Sequence, residues 1–411
     1  MEAANRLKSA EAELREVFAA IDRCAYINQT KVLEAFRSVR VRDTHFNQSS
    51  GYGYGDIGRD DLERLYSQVF KAEDALVRGQ IVSGTHAISA CLTGILRPGD
   101  RLVSAVGAPY DTLRHVIGVS GEQKGSLLDR GVLYEQASLN AAGGIDYDEL
   151  EKVLADVPRM VLIQRSRGYT WRPALNIKEI EEVIVFIRQR CPQTIVFVDN
   201  CYGEFTEERE PLEAGADLIA GSLIKNPGGG LGLSGGYVAG RADLVETVAS
   251  HLTAPGLGKE LGASLANPRL FYQGFFMAPH VVAQALKGAA LLAQIMTEAG
   301  YQVSPGAADA RSDIVQAVRL RSAEEIKRFC QIVQTSSPVD SDVQLEYALL
   351  PGYDVPVIMA AGTFVQGASI EMSCDAPLKE PYNVYFQGGL TYEHVRYAAG
   401  RVITEFLMDR S

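Results

Sequence analysis

Apolar residues recur at helical spacing over residues 2–23, at Leu7, Leu14, Val17, Phe18 and Ile21, among charged neighbours. That period lays one apolar stripe along a helix, so an amphipathic helix is expected there and a second over 31–39. Residues 45–60, HFNQSSGYGYGDIGRD, break the period with Gly, Ser, Asn and Tyr and read as an ordered loop. The end of this stretch opens a further helix, Asp56 through Phe70. From about residue 74 short apolar runs alternate with helical segments. The runs lie at 75–84, 101–106, 131–136, 159–164, 194–199, 217–222 and 235–240, and helices are expected over 85–96, 111–118, 146–155, 176–189 and 241–252. Strand–helix alternation of this kind predicts a mostly parallel sheet covered on both faces.

A long Ala- and Leu-rich helix is expected over 278–299. Beyond Gly300 the period loosens: a strand at 313–320, a helix at 323–333, strands near 357–361 and 364–372, and a terminal helix at 390–409 suggest a smaller α+β domain. The expected division is N-terminal helices and a loop over 1–60, a large domain over 61–277, and a linking helix with a small domain over 278–411. YNVYFQGG at 382–389 looks like an expression-tag protease site, but it lies between plausible elements and is read as native sequence.

Composition narrows the choice of function. The 411 residues are 46 % hydrophobic and 22 % charged, ordinary for a chain with a sizeable core. A net charge of −11 without any Lys/Arg-rich block argues against nucleic acid and anionic membrane as partners. Cys24, Cys91, Cys191, Cys201, Cys330 and Cys374 are scattered without a C-x-x-C pair, which fits free thiols in a reducing cytoplasm. No apolar run approaches the roughly 18 residues that span a bilayer, and no His/carboxylate cluster has metal-ligand spacing. A cytoplasmic protein is expected.

The chemistry concentrates in TIVFVDNCYGEF and DLIAGSLIKNPGGGLGLSGGYV. The first strand delivers Asp199 at its carboxyl edge, where ligands of open α/β sheets bind. The second delivers Ser222 and then Lys225, followed at once by Gly-rich chain. A lysine amine, a carboxylate and an anion cup are the three partners that pyridoxal 5′-phosphate (PLP) needs: for the imine, the ring nitrogen and the phosphate. Upstream, IVSGTHAISACL reads as a strand, a Ser83-Gly84-Thr85 turn and a helix whose first N–H groups, at Thr85 and His86, could hold an anion. A Ser N-cap without ligand would look the same. Tyr110, after the next strand, could stack on a cofactor ring or simply pack. Residues 53–58 spell G-x-G-x-x-G, but no apolar strand precedes them, so a dinucleotide site is rejected.

These residues resemble fold-type-I PLP enzymes of Cys/Met metabolism, the cystathionine lyases and methionine γ-lyases. The resemblance is nearest to the methionine γ-lyase, or "aluminium resistance protein", subgroup. GYGYGDIGRD, SGTHAI, QRSRGYTWRPAL, VDNCYGEF, GSLIKNPGG, FVQGASIEMS and EPYNVYFQGGLTYEH all look like its motifs and cover nearly the whole chain. The resemblance implies the aspartate aminotransferase-like fold, with a seven-stranded large domain and a small C-terminal domain. It implies PLP as a Schiff base on Lys225, Asp199 at the ring nitrogen, Tyr110 on the ring, and Ser83, Gly84, Thr85, His86 and Ser222 around the phosphate. It also implies a homodimer or homotetramer with shared sites, in which Tyr52, Tyr54 or Arg59 of the N-terminal loop reaches the neighbouring site. Tyr54 is preferred there, as a catalytic and substrate-binding group. One departure matters: the family's carboxylate-binding Arg sits in a C-terminal R-L-S-x-G-type strand, and IEMSCD here has Glu371 at that place. Arg165 and Arg167 are the candidates to replace it, because an arginine fork can grip both carboxylate oxygens. The expected activity is β- or γ-elimination on a small, sulfur-containing or γ-substituted amino acid. Transamination on the same lysine, or a catalytically idle protein of stress tolerance, are the alternatives.

Overall fold

The computed structural model describes residues 1–121, 124–265, 268–350 and 353–408. The chain begins with α1 (Glu2–Glu13) and α2 (Arg15–Val39). The two expected N-terminal helices thus divide at Leu14, and the second runs on unbroken through residues 24–30. Then follow α3 (Ile57–Phe70), β1 (Asp74–Arg78), α4 (Gly84–Ile95), β2 (Arg101–Ser104), α5 (Asp111–Ile117), β3 (Leu133–Gln136), α6 (Tyr147–Leu154), β4 (Met160–Gln164), α7 (Ile177–Arg190), β5 (Ile195–Asp199), β6 (Leu218–Ser222), β7 (Gly236–Gly240) and α8 (Ala242–Leu252).

The seven strands form one sheet in the order β1-β7-β6-β5-β4-β2-β3. Only β7 opposes its neighbours, pairing antiparallel with both β1 and β6. The central strands are buried along their whole length, which is why they read as unbroken apolar runs. Successive side chains feed two cores: Val196 and Val198 face the α7 side with Ile180 and Ile184, while Ile195 and Phe197 face the α4 and α8 side with Ile88 and Val245.

Next comes α9 (Pro268–Glu298), then β8 (Gln302–Ser304), β9 (Val315–Arg319), α10 (Ala323–Thr335), β10 (Val357–Ala360), β11 (Ser373–Pro377), β12 (Asn383–Gln387) and α11 (Tyr392–Arg401), which continues as a π-turn over Val402–Leu407. The small domain is an antiparallel sheet, β10-β11-β12-β9-β8, with α10 and α11 packed on its apolar face. Three expectations shift, and one stretch without an expected element gains one. The long helix starts at Pro268, so the boundary expected at 277/278 falls inside it, and Pro279 sits within the helix. The strand expected at 364–372 is loop, and pairing starts at Ser373. The tag-like NVYFQ is the fully buried strand β12, held between β11 and β9. The expected terminal helix begins at Tyr392 rather than 390, and its last residue, 409, lies outside the described residues. Helix α9 is the one described helix long and apolar enough to cross a bilayer, but 72 % of its most apolar window is buried inside the protein, the mark of a core helix.

Candidate active site

Strands β4, β5 and β6 end side by side, with Gln164 opposite Asp199 and Asp199 opposite Ala220 in the ladder. Their carboxyl ends open into a cavity of about 470 Å³ between the two domains. Asp199 and Lys225 both line it, with Tyr110, Thr85, Gln164, Arg167, Tyr169, Tyr202, Tyr353 and Asp375. Lys225 lies three residues past β6, and its amine stands 4.0 Å above the Tyr202 ring. Among the described residues the amine makes no hydrogen bond or ion pair. Tyr202 is held there in a left-handed turn (φ 71°) that follows Asp199 directly. Asn226, fully buried, fastens the Lys225 loop to that turn by donating to the carbonyls of Tyr202 (3.0 Å) and Glu204 (2.9 Å). Close packing completes the anchorage: a Cβ on Gly228 would lie 1.7 Å from the Leu223 carbonyl oxygen.

Asp199 is 3 % exposed and accepts the Cys201 amide at 3.2 Å. Burial pushes its carboxyl upward, opposed chiefly by the nearby Lys225. Tyr110 donates its amide to Gln164 Oε1 (2.9 Å), and its hydroxyl meets Thr85 Oγ1 at 3.0 Å. Burial pushes that phenol well above its ordinary range.

The N-terminus of α4 faces the same strand ends. Ser83 caps the helix by accepting the His86 amide at 3.0 Å, the N-cap role weighed from sequence. A Cβ on Gly84 would sit 3.2 Å from both Cys201 Sγ and Ser222 Cβ, so the helix start is pressed against the ends of β5 and β6. The His86 ring turns back to its own turn, accepting the Val82 amide at 3.2 Å. Ser222 Oγ accepts the Ile224 amide at 3.3 Å.

The two candidate arginines part company. Arg165 is fully buried and does not line the cavity. Its guanidinium is engaged by Asn200 (2.9 Å), Glu207 (2.8 Å) and Glu210 (3.5 Å) beneath the sheet end, which removes it as a substrate ligand. Arg167 does line the cavity; it donates to the Ser304 carbonyl (2.8 Å) and hydroxyl (3.0 Å), and its Nε has no hydrogen-bond partner. Burial pulls its pKa below the usual arginine value, with Asp313 opposing.

The N-terminal loop also separates. Arg59 is 4 % exposed and clamps its own loop, donating to the carbonyls of Gly53 (2.9 Å) and Gly262 (3.2 Å) and pairing with Asp60 (2.8 Å). It is therefore not free to reach a neighbouring phosphate. Tyr52 and Tyr54 are 69 % and 66 % exposed, ring against ring at 5.6 Å, and stand away from this chain's own cavity.

Sequence reasoning missed Tyr169, Tyr202, Tyr353, Asp375 and Gln387, all on the cavity wall. Tyr169 and Tyr202 lie inside motifs already singled out; a strand-end aromatic two or three residues past a site residue was the available signal. Asp375 closes IEMSCD, the stretch singled out for Glu371, and was passed over because β11 was not anticipated there. Among the described residues no group of three or more His, Cys, Asp or Glu is disposed to hold a metal.

This arrangement of sheet, strand-end acid and lysine defines a fold-type-I PLP-dependent enzyme. At 20 % identity and TM-score 0.62, the PLP-dependent protein YhfS of Escherichia coli shares the fold over 93 % of this chain and 97 % of its own. The chain belongs to the methionine gamma-lyase family, whose model matches residues 3–407. Uncharacterized protein YnbB of Bacillus subtilis (strain 168) is 49 % identical over 94 % of this chain and 92 % of its own. A Listeria monocytogenes structure, whose name proposes a cystathionine beta-lyase involved in aluminum resistance, is 50 % identical with TM-score 0.95, covering 98 % of this chain and 99 % of that one. A carbon-sulfur lyase involved in aluminum resistance from Clostridium novyi NT is 45 % identical with TM-score 0.93, covering 98 % and 95 %. The cofactor of this family and fold is PLP. The residues present fit it: a buried amine without a hydrogen-bonding partner shares one cavity with a buried carboxylate and a helix N-terminus.

Proposed function

We propose that this protein is a PLP-dependent carbon-sulfur, or carbon-heteroatom, lyase that eliminates a β- or γ-substituent from a small amino acid. The observation that supports it most is the Lys225 amine: buried, without a hydrogen-bond acceptor, and facing the same cavity as Asp199. A buried ammonium that makes no hydrogen bond is costly unless its chemistry uses it.

When bound, PLP supplies an electron-poor ring that accepts the charge left at the substrate Cα. Lys225 would be the attachment residue and the base that takes the Cα proton. Asp199 would hold a proton at the ring nitrogen. Tyr110 would help to hold the ring. Ser83, Gly84, Thr85 and His86 at the start of α4 and Ser222 at the end of β6 would hold the phosphate, through backbone amides and hydroxyls. Arg167, whose Nε makes no hydrogen bond and stands 3.9 Å from Asp313, would take the substrate carboxylate. The leaving group departs from Cβ, giving a 2-oxo acid and ammonia after hydrolysis. For a γ-leaving group Lys225 must also move a Cβ proton first.

The exposed pair Tyr52 and Tyr54 supports a homodimer or homotetramer in which Tyr54 of one protomer completes its neighbour's site. Six free cysteines suit a cytoplasmic location.

The test is a product screen on the purified holoenzyme with cysteine, cystathionine, methionine and homocysteine. Stoichiometric 2-oxo acid, ammonia and thiol are expected from at least one. Amino-group exchange with a 2-oxo acid and no thiol would mean transamination instead. Lys225→Ala should lose both turnover and the visible absorbance of the protein-bound cofactor; an unchanged band would clear Lys225 of its role.

A further inference from the structure

The small-domain wall of the cavity carries an acid, Asp375, four residues past the place where the family resemblance calls for a base. Glu371, at the place of the expected arginine, is buried and turned to the preceding loop, accepting the amides of Phe364 (2.8 Å) and Val365 (2.9 Å). It does not line the cavity. The alternation of β11 then places Cys374 and Ala376 in the small-domain core and Ser373 and Asp375 on the cavity side. Asp375 Oδ2 accepts Tyr169 Oη at 2.8 Å and Gln387 Nε2 at 2.8 Å. Its Oδ1 makes no hydrogen bond among the described residues. The ring of Tyr169 stacks at 5.8 Å on that of Tyr353, which lines the same cavity.

Burial raises the Asp375 carboxyl to about 6, against Tyr169, Gln387 and Lys225, so at neutral pH it is an anion. A half-satisfied buried carboxylate rejects a second carboxylate and favours a cation, and phenol rings beside it favour the same charge. Resting on the lyase reading, we infer that Asp375, with Tyr169 and Tyr353, selects amino acids whose side chain bears a positive charge, an ammonium or a sulfonium. The charge lies on or beyond the leaving group. The side chain of Gln387 holds the carboxylate in place and is a positioning residue.

Two matched pairs test this on the holoenzyme. The first is S-(2-aminoethyl)-L-cysteine against S-propyl-L-cysteine. With water, the former gives 2-aminoethanethiol, pyruvate and ammonia: the Cβ–S bond breaks, and the sulfur takes the electron pair and a proton. The second is S-methyl-L-methionine against L-methionine, which with water give dimethyl sulfide or methanethiol, 2-oxobutanoate and ammonia. Both kcat/KM and equilibrium binding to the holoenzyme are measured. In the ammonium pair, the sulfonium pair or both, Asp375→Asn should lower the cation-to-neutral ratio about tenfold or more, some 1.4 kcal/mol. Asp375→Glu should restore part of it. Which pair responds tells ammonium from sulfonium. Ratios unchanged in Asp375→Asn for both pairs, by binding as well as turnover, would overturn the inference. If Asp375→Asn fails to fold, Tyr353→Leu takes its place with the same expected direction and the same overturning result. If no thioether yields a 2-oxo acid, the lyase reading falls, and the binding ratios still decide the role of Asp375.

Discussion

The two walls of the cavity are built by different rules. The large-domain wall comes from the ends of parallel strands, where Asp199 is fixed by the ladder to β4 and β6 and the Lys225 loop by the turn that Asn226 ties down. The small-domain wall comes from antiparallel β11 and β12 and the loop before them, where Asp375 meets partners 206 and 12 residues away in the chain. The first wall carries Asp199 and Lys225; the second carries Asp375, four residues past Glu371. On the proposed reading, the chemistry step belongs to the first wall and the choice of substrate to the second.

That division can be broken. Asp199→Ala should lower kcat/KM roughly 10³-fold, about 4 kcal/mol, for every substrate alike and weaken PLP retention. Asp375→Asn should move substrates unequally and leave PLP bound. A uniform loss in both variants, seen in kcat/KM series and cofactor titration, would erase the distinction.

A second comparison separates the two arginines of QRSRGY. Arg165→Ala removes the cation beside buried Glu210 and partly exposed Glu207 and should cost about 3 kcal/mol of stability. Denaturant melts should show that loss, while the folded fraction keeps its KM. A raised KM without lost stability would return Arg165 to the substrate site.

The smallest effect lies under the large-domain wall. Glu204 is fully buried beside Glu210 and accepts the Tyr237 hydroxyl at 2.9 Å, and burial raises its carboxyl to about 8. Its pKa is higher folded than unfolded, so the native state holds the extra proton. Its contribution is complete below about pH 4.5 and is lost as pH rises through about 8. Glu204→Gln should flatten the fall in melting temperature over that window; an unchanged slope would show that Glu204 is already ionised.

Most of the large domain was legible because buried parallel strands announce themselves as apolar runs bounded by turns. Asp199 and Lys225 were legible for the same reason: each follows such a run directly. The small domain was less so. NVYFQ mixes polar and aromatic residues, and its burial comes from two flanking strands that sequence order does not show. The start of α9 was hidden by Pro268 and Pro279, and both prolines are accommodated within the helix. Arg165 and Arg167 sit two residues apart at one strand end, yet only the second lines the cavity. What captures the first is Glu207 and Glu210, more than forty residues downstream.

Helix α9 has a consequence for how the protein comes apart. Its first half, Tyr272 to Leu286, is built into the large-domain core; Leu292 and Met296 belong to the small-domain core, and Ala290, Leu291 and Ile295 seat α1. Neither lobe owns the helix, so neither can melt without stripping apolar surface from the other. Heating should therefore disassemble both lobes in one cooperative event, and a protease cut near residue 288 should cost the chain both cores at once.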